Sequence, residues 1–553
     1  MIVQTRGMDV PLDGLSAHVG RSTASHLRAT ILLVIVALLA FLPGQFQIPP
    51  IDRDEARYAQ ATRQMMETGN YLDIRFQDEP RYLQPIGIYW LQAAAAKISG
   101  FDAHAPIWIH RIPSWLGATA AVALTYWALL PLVGSVGALI AALFLATSVL
   151  LGVEARLAKT DAVLLATAVG AIGVLARAYM GWLLSLPMAM VFWIALAAGI
   201  LVKGPLILLV VGSTTLALFA WDRSAASFER LRPALGVFLL LLLVLPWFVA
   251  IAMVSGGEFF MTALGQNLLG KVTAGQQGHG APPGAYLLLF WATFAPAAIF
   301  AIVAAPWAWK NRNQRAVRFC LAWIVPTWIM FELIVTKLPH YVLPTFPAIA
   351  ALMALAMLDG RRLGPVLGAL MIAGAVVLVA APAGALYAVE GSVAPGALVL
   401  SVSAIAILVW GVRNEQSISP TAFAAIIAMS SVVAQGATYG LVIPKIETLW
   451  LSPQLAAAVE RHAPCAEPQV ASAGYHEPSL VFLVGTRTRL VWPLEAAKLM
   501  AGGGCRIALV TEGAEQEFIA ELSKLGRSAV LAERVTGIKL GKVGRETIGI
   551  YRP

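Results

Sequence analysis

Thirteen apolar runs fill most of residues 29–443, at 29–46, 112–130, 134–152, 160–179, 183–202, 204–220, 234–254, 284–308, 317–335, 341–358, 363–388, 394–411 and 421–443. A helix that crosses a bilayer needs about 20 mostly apolar residues. Inside hydrocarbon the backbone must satisfy its own N–H and C=O groups, and a helix does so within one segment. The runs therefore predict a polytopic α-helical membrane protein with about thirteen transmembrane helices. Composition closes off the soluble alternative. Apolar residues make up 59% of the chain and charged residues 12%, where a soluble domain is about 45–50% apolar and about a quarter charged. The stretch 183–220 is too long for one helix and breaks at Lys203-Gly204-Pro205, which reads as a tight hairpin. The first run is expected to be a retained span, not a cleaved signal peptide, because Gln47-Ile48-Pro49-Pro50 follows it in place of a small-residue cleavage site.

The bases set the orientation. Arg21 and Arg28, then Arg223, Arg230 and Arg232, then Lys310, Arg312, Arg315 and Arg318, then Arg361 and Arg362 all fall on one side when thirteen runs are counted. Short loops rich in Lys and Arg stay cytoplasmic. Residues 1–28 are then cytoplasmic and residues 29–443 form the membrane domain. The loops 47–111 and 255–283 lie outside, as does the tail 444–553, a periplasmic domain. The net charge of +9 does not point to nucleic acid, because the bases are spread over short loops. Their partners are anionic lipid headgroups.

In the tail, strand-like runs at 469–474, 489–492, 506–511 and 547–551 alternate with helix-like runs at 495–500 and 515–525. That pattern predicts a small soluble α/β domain. Cys465 and Cys505 each precede a strand. An outer location permits a disulfide between them, and two unpaired thiols are the other reading. Cys320 lies in an apolar run and reads as an inert core thiol.

Charge outside the bilayer is concentrated just after the first span, in Asp52-Arg53-Asp54-Glu55-Ala56-Arg57-Tyr58. A helix is predicted from about Asp54, with Tyr58, Ala61, Met65 and Met66 on one face, lying amphipathically in the interface. Asp54 is either an N-cap or a functional carboxylate. Asp161 starts the fourth run, where it either favours the helix dipole or serves a site. Lys337 either snorkels beside a Pro-broken turn or does likewise. Asp54, Asp161, Lys203, Lys271, His279, Lys337 and His340 come from several different outer segments, yet all are placed on one face. Carboxylates beside cations at a membrane surface suit transfer from a lipid-linked phosphate. Cations hold the phosphate. A carboxylate steadies a cationic sugar transition state or takes a proton from an acceptor hydroxyl.

Asp54-Glu55-Ala56-Arg57-Tyr58 resembles the signature of polyprenyl-phosphate-dependent glycosyltransferases of the glycosyltransferase-C superfamily. Lys337-Leu338-Pro339-His340-Tyr341 with Pro344 is similar to a second hallmark. The resemblance is to the aminoarabinose–lipid A transferases, with the protein O-mannosyltransferases further off, and it runs through the whole chain. It implies Asp54 and Asp161 as catalytic carboxylates. It implies Arg57, Arg81, Lys203, Lys271 and Lys337 as phosphate-binding groups. Glu55, Tyr58, Tyr82, Gln84, His279, His340 and Tyr341 would line the cavity. One departure stands out: the family carries a basic residue before the proline where this chain has Leu83-Gln84-Pro85. Gln84 brings no charge, so either Arg81 or another base would substitute or the donor would be held differently.

The resemblance also implies the reaction. A sugar, aminoarabinose or a related pentose or hexose, would pass with inversion from undecaprenyl phosphate to lipid A or another lipopolysaccharide acceptor. It would do so at the periplasmic face of a bacterial inner membrane, on a monomer, with no metal or other cofactor required. A divalent ion near His279 is the minority expectation. The rivals are transfer to protein Ser/Thr or to another polysaccharide and, from another class, a lipid or polysaccharide transporter or flippase. Transporters place polar groups near the midplane, often on inverted repeats. Here the charges cluster outside.

Overall fold

The structure, a computed structural model, describes residues 25–263, 265, 270, 280–539 and 544–553. Among these, nine helices are long and apolar enough to cross a bilayer. A pair bent by 120°, Ala285–Thr293 with Ala297–Lys310, raises the number to ten. The count is below thirteen for two physical reasons. His26–Phe41 and Leu206–Asp222 are apolar but only 16 and 17 residues long, short of the usual span of about 20. The runs 112–130 and 134–152 belong largely to one 41-residue element, Ile107–Thr147, kinked at Gly134, where φ is 69°. Glycine takes that left-handed φ without a Cβ penalty.

The centre of the bundle is Asp161–Tyr179, packed between Ile107–Thr147 and Leu186–Lys203. Its most apolar window is 89% buried, against 17% for Pro233–Val254 and 22% for Gly364–Glu390. The outer helices present Leu and Val to lipid, where apolar exposure carries no penalty. The predicted hairpin is present: one helix ends at Lys203, Gly204 turns at φ 66°, and the next helix starts at Leu206.

The helix Asp54–Thr68 forms where predicted. Arg53, not Asp54, is its N-cap, and Asp54 is the first helical residue. Its polar face is covered by the tail domain. Gln60 Nε2 donates to Thr486 Oγ1 at 2.7 Å, and Arg63 Nη1 donates to the Phe482 carbonyl at 2.7 Å. Periodicity shows which face is polar, not whether protein or water covers it.

The tail is a five-stranded mixed sheet in the order Arg489–Val491, Gln469–Ala473, Arg506–Thr511, Arg545–Arg552, Val530–Ile538. The first three strands are parallel, and the last two join antiparallel. The edge strand Val530–Ile538 escaped the sequence reading because Glu533 and Arg534 interrupt its apolar pattern and its first residues are exposed. Cys465 and Cys505 are disulfide-bonded, with Cα atoms 5.8 Å apart, at the starts of parallel neighbours in which Gln469 pairs with Arg506. Cys320 is fully buried and unpaired.

Asp52 sits at the seam between loop and tail, accepting a hydrogen bond from Ser479 Oγ. Burial, and then the nearby Glu477, push its carboxyl up to about 7, against the pull of Arg53 and Lys539. The fold thus favours the neutral acid. The resulting cost is absent below about pH 4, grows as pH rises, and is complete above about pH 7. Asp52→Asn is expected to stabilise the protein by on the order of 1–3 kcal/mol at pH 8 and by nothing at pH 4. Melting curves at the two pH values check this, and an equal effect at both would contradict it.

Candidate functional site

Five helix ends and turns meet at one cavity of about 160 Å³. Asp54 begins Asp54–Thr68, Asp161 begins Asp161–Tyr179, Lys203 ends Leu186–Lys203, and His340 lies in the turn Pro339–Thr345. Lys159 and Thr160 come from the loop before Asp161. Helix ends are where long apolar segments give way to polar residues. Charges can gather there without entering the midplane.

Asp161 is the hub. Lys203 Nζ donates to its Oδ1. Lys159 Nζ lies 3.6 Å from its Oδ2 and 3.0 Å from Glu154 Oε1. His340 Nε2 is 3.6 Å from Asp161 Oδ1, and its Nδ1 is 3.3 Å from Lys159 Nζ. All these groups are buried or nearly so. Burial raises the Glu154 carboxyl to about 7 despite Lys159. For Lys159, burial is outweighed by Glu154 and Asp161, which hold its ammonium above the usual lysine range. Glu154, Asp161 and His340 offer ligand atoms within 4.8 Å of one another. The lysine ammoniums already lie against both carboxylates, so the cationic partner is supplied by the chain.

Asp54 differs from Asp161. Its side chain is 57% exposed, and its recorded ion pair, to Arg57 Nη1, is long at 3.9 Å. Arg81 lies 5.0 Å over the Tyr58 ring. Burial, and then the like charge of Arg81, lower the Arg57 guanidinium from its ordinary value, so an anion arriving between the two would relieve repulsion. Much of the remaining lining is apolar, formed by Phe248, Phe259, Phe260, Phe331 and Leu338.

The cavity gathers Asp54, Tyr58, Gln84, Asp161, Lys203, His340 and Tyr341 from the sequence-predicted set. Others go elsewhere. Glu55 is sealed in a pair with Arg111. Tyr82 donates to Asp73 and packs on Phe259 behind the wall. Lys337 turns back to donate to the carbonyls of Phe331, Glu332 and Ile334, closing the helix Arg315–Leu333. Arg57 and Arg81 flank the cavity without lining it. Lys271 and His279 lie outside the described residues. The sequence reading passed over Lys159 and Glu154 as site residues, although both stand in the charge run that leads to Asp161. It also passed over Arg111, which is hidden at the start of an apolar run.

The cavity thus collects its charges from helix ends and the turns beside them. Residues 83–249 match the family described as dolichyl-phosphate-mannose-protein mannosyltransferase. An undecaprenyl phosphate-α-4-amino-4-deoxy-L-arabinose arabinosyl transferase of Erwinia tasmaniensis is 27% identical over 312 residues, 54% of each chain. One from Pseudomonas fluorescens is 25% identical over 343 residues, 59% of this chain and 60% of that one. The chain thus matches little more than half the length of these curated relatives. The crystal structure of ArnT from Cupriavidus metallidurans bound to undecaprenyl phosphate superposes with a TM-score of 0.74 at 19% identity. The match covers 94% of this chain and 97% of that one. The chain is thus similar in sequence to these arabinosyl transferases over little more than half its length, and it shares the fold of ArnT.

Proposed function

We propose that the protein moves a sugar, aminoarabinose or a related pentose or hexose, from undecaprenyl phosphate to lipid A or another lipopolysaccharide acceptor, with inversion, at the outer face of a bacterial inner membrane. One observation carries the reading: the cavity holds Lys159, Lys203 and His340 around a saturated Asp161, while Asp54 stays open in the same cavity as an apolar lining. The lysines suit the donor phosphate, and the phenylalanines suit the first prenyl units. The acceptor oxygen attacks C1 as the bond from C1 to the carrier phosphate oxygen breaks. The phosphate leaves with the electron pair and needs little acid help. An acceptor phosphate is already ionised, so Asp54 would then steady positive charge on the sugar. A hydroxyl acceptor would need Asp54 as its base. Gln84 lines the cavity as an uncharged donor, and Lys159 with Lys203 supplies the charge that this position lacks.

The match of residues 83–249 to a mannosyltransferase family favours a second reading, in which a protein hydroxyl is the acceptor. Mass spectrometry of lipid A from cells with and without the gene separates the two. The first reading expects the loss of one sugar mass on deletion, restored by the wild-type chain. Unchanged lipid A together with lost protein glycosylation would decide for the second.

A further inference from the structure

A second cavity, of about 820 Å³, opens at the far end of the bundle and takes no part in the chemistry above. It lies at the other membrane boundary. Asp161, at the first residue of its helix, lines the charged cavity, while Tyr179, at the last, lines this one. Those 19 residues separate the two by about 28 Å at a rise of about 1.5 Å per residue, close to the hydrocarbon thickness of about 30 Å. Trp182, Trp221 and Trp309 are exposed on segments at the same end of the bundle, the level at which tryptophan marks a membrane interface.

The lining is amphiphilic in a particular order. Leu208, Gly212, Leu216 and Phe219 form one face of the helix Leu206–Asp222, opposite Phe192 and Trp193. Leu216 and Phe219 are exposed, so this apolar trough is open to the lipid side. At its polar end stand Arg230, Arg315 and Arg318 with a single carboxylate, Asp222. Arg318 hydrogen-bonds to Asp222 and is neutralised by it. Arg230 Nη1 donates to the Ala178 carbonyl at 2.6 Å, and Arg315 Nη2 donates to the Tyr179 carbonyl. These bonds fix two guanidiniums at the rim of the cavity. Each guanidinium has five N–H donors, and both side chains remain exposed. Ser224 and Ser227 add hydroxyls at the same level.

We propose that this cavity is a binding site for an anionic phospholipid, with its phosphate between Arg230 and Arg315 and one acyl chain in the trough beside Gly212. Charge complementarity selects the occupant. Two bases fixed at the mouth of an apolar groove match an anionic headgroup carrying an attached chain. A zwitterionic headgroup would set its own cation against them.

The test uses the full-length protein, purified in detergent and stripped of lipid. Dioleoyl-phosphatidylglycerol, dioleoyl-phosphatidylcholine and inorganic phosphate are each titrated and read by native mass spectrometry. The phosphatidylglycerol should be retained on the order of tenfold more tightly than the phosphatidylcholine, and millimolar phosphate should not displace it. Arg230→Gln with Arg315→Gln should remove the preference. Gly212→Phe should weaken both lipids, since a side chain there meets open space within 4 Å and projects into the trough without disturbing the fold. Equal retention of the two lipids, displacement by phosphate, or unchanged binding in a folded Gly212→Phe protein would overturn the proposal.

Discussion

Asp54→Asn is expected to lower the transfer rate by about 10²–10⁴-fold, the range for loss of a positioned acid or base, while the melting temperature hardly moves. The stability half of this expectation rests on exposure. The Asp54 carboxylate is more than half exposed, and its ion pair to Arg57 is long. A surface pair of that kind contributes about 0–1 kcal/mol. The activity half rests on contrast with Asp161. Asp161 is buried against Lys203, Lys159 and His340 and has little capacity left for a substrate. Asp54 lines the same cavity with room in front of it. Asp161→Asn would be a poor test, because it leaves buried cations facing a neutral amide, and such losses cost several kcal/mol. The measurement is turnover with a polyprenyl-phosphate sugar donor, beside a melting curve on the same preparation. A folded Asp54→Asn protein with wild-type turnover would end the role given to Asp54.

The architecture was legible because apolar length and charge position are properties of the chain itself. The hairpin at Lys203-Gly204-Pro205, the helix from Asp54 and four of the five tail strands follow from local pattern. The failures share a cause. Lys337 was given a phosphate, yet three carbonyls of the preceding helix end are within its reach. Those acceptors exist only once the helix Arg315–Leu333 stops where it does. Glu55 was given to the cavity by the signature it shares with Asp54, but one step along a helix turns a side chain by about 100°. Its partner Arg111 lies 56 residues away, beyond any local signal. Lys159 was visible in the charge run yet indistinguishable from Arg156, which spends its donors on the carbonyls of Pro43 and Gly152. Sequence showed that charge collects on this face. Which charges face substrate and which tie backbone together was decided by packing.

That tying function leads to the largest expected loss of stability. Arg111→Met should destabilise the protein by about 3–5 kcal/mol, the cost of stranding one partner of a buried ion pair. Arg111 and Glu55 are both essentially inaccessible, and the contact is bidentate, with Nε at 2.8 Å from Oε1 and Nη2 at 2.9 Å from Oε2. The remaining capacity of both groups is spent on backbone. Arg111 donates to the carbonyls of Gln45, Ile48 and Pro49. Glu55 accepts from the N–H groups of Ile51 and Ala158. Four segments therefore depend on one pair: the loop 45–51 after the first apolar helix, the helix bearing Asp54, the start of Ile107–Thr147, and the loop bearing Lys159. Losing Arg111 leaves a buried carboxylate and three unpaired carbonyls. Glu55→Gln keeps the shape and most hydrogen bonds, so it should cost less. With both changes the stranded charge is gone, and the double variant should lose less than the sum of the two single losses. Thermal melting of the three variants measures the coupling. Activity should fall with stability in Arg111→Met, because Ala158 sets the loop that presents Lys159 to Asp161. Additive losses, or an Arg111→Met protein that melts like the wild type, would show that the pair does not hold these segments together.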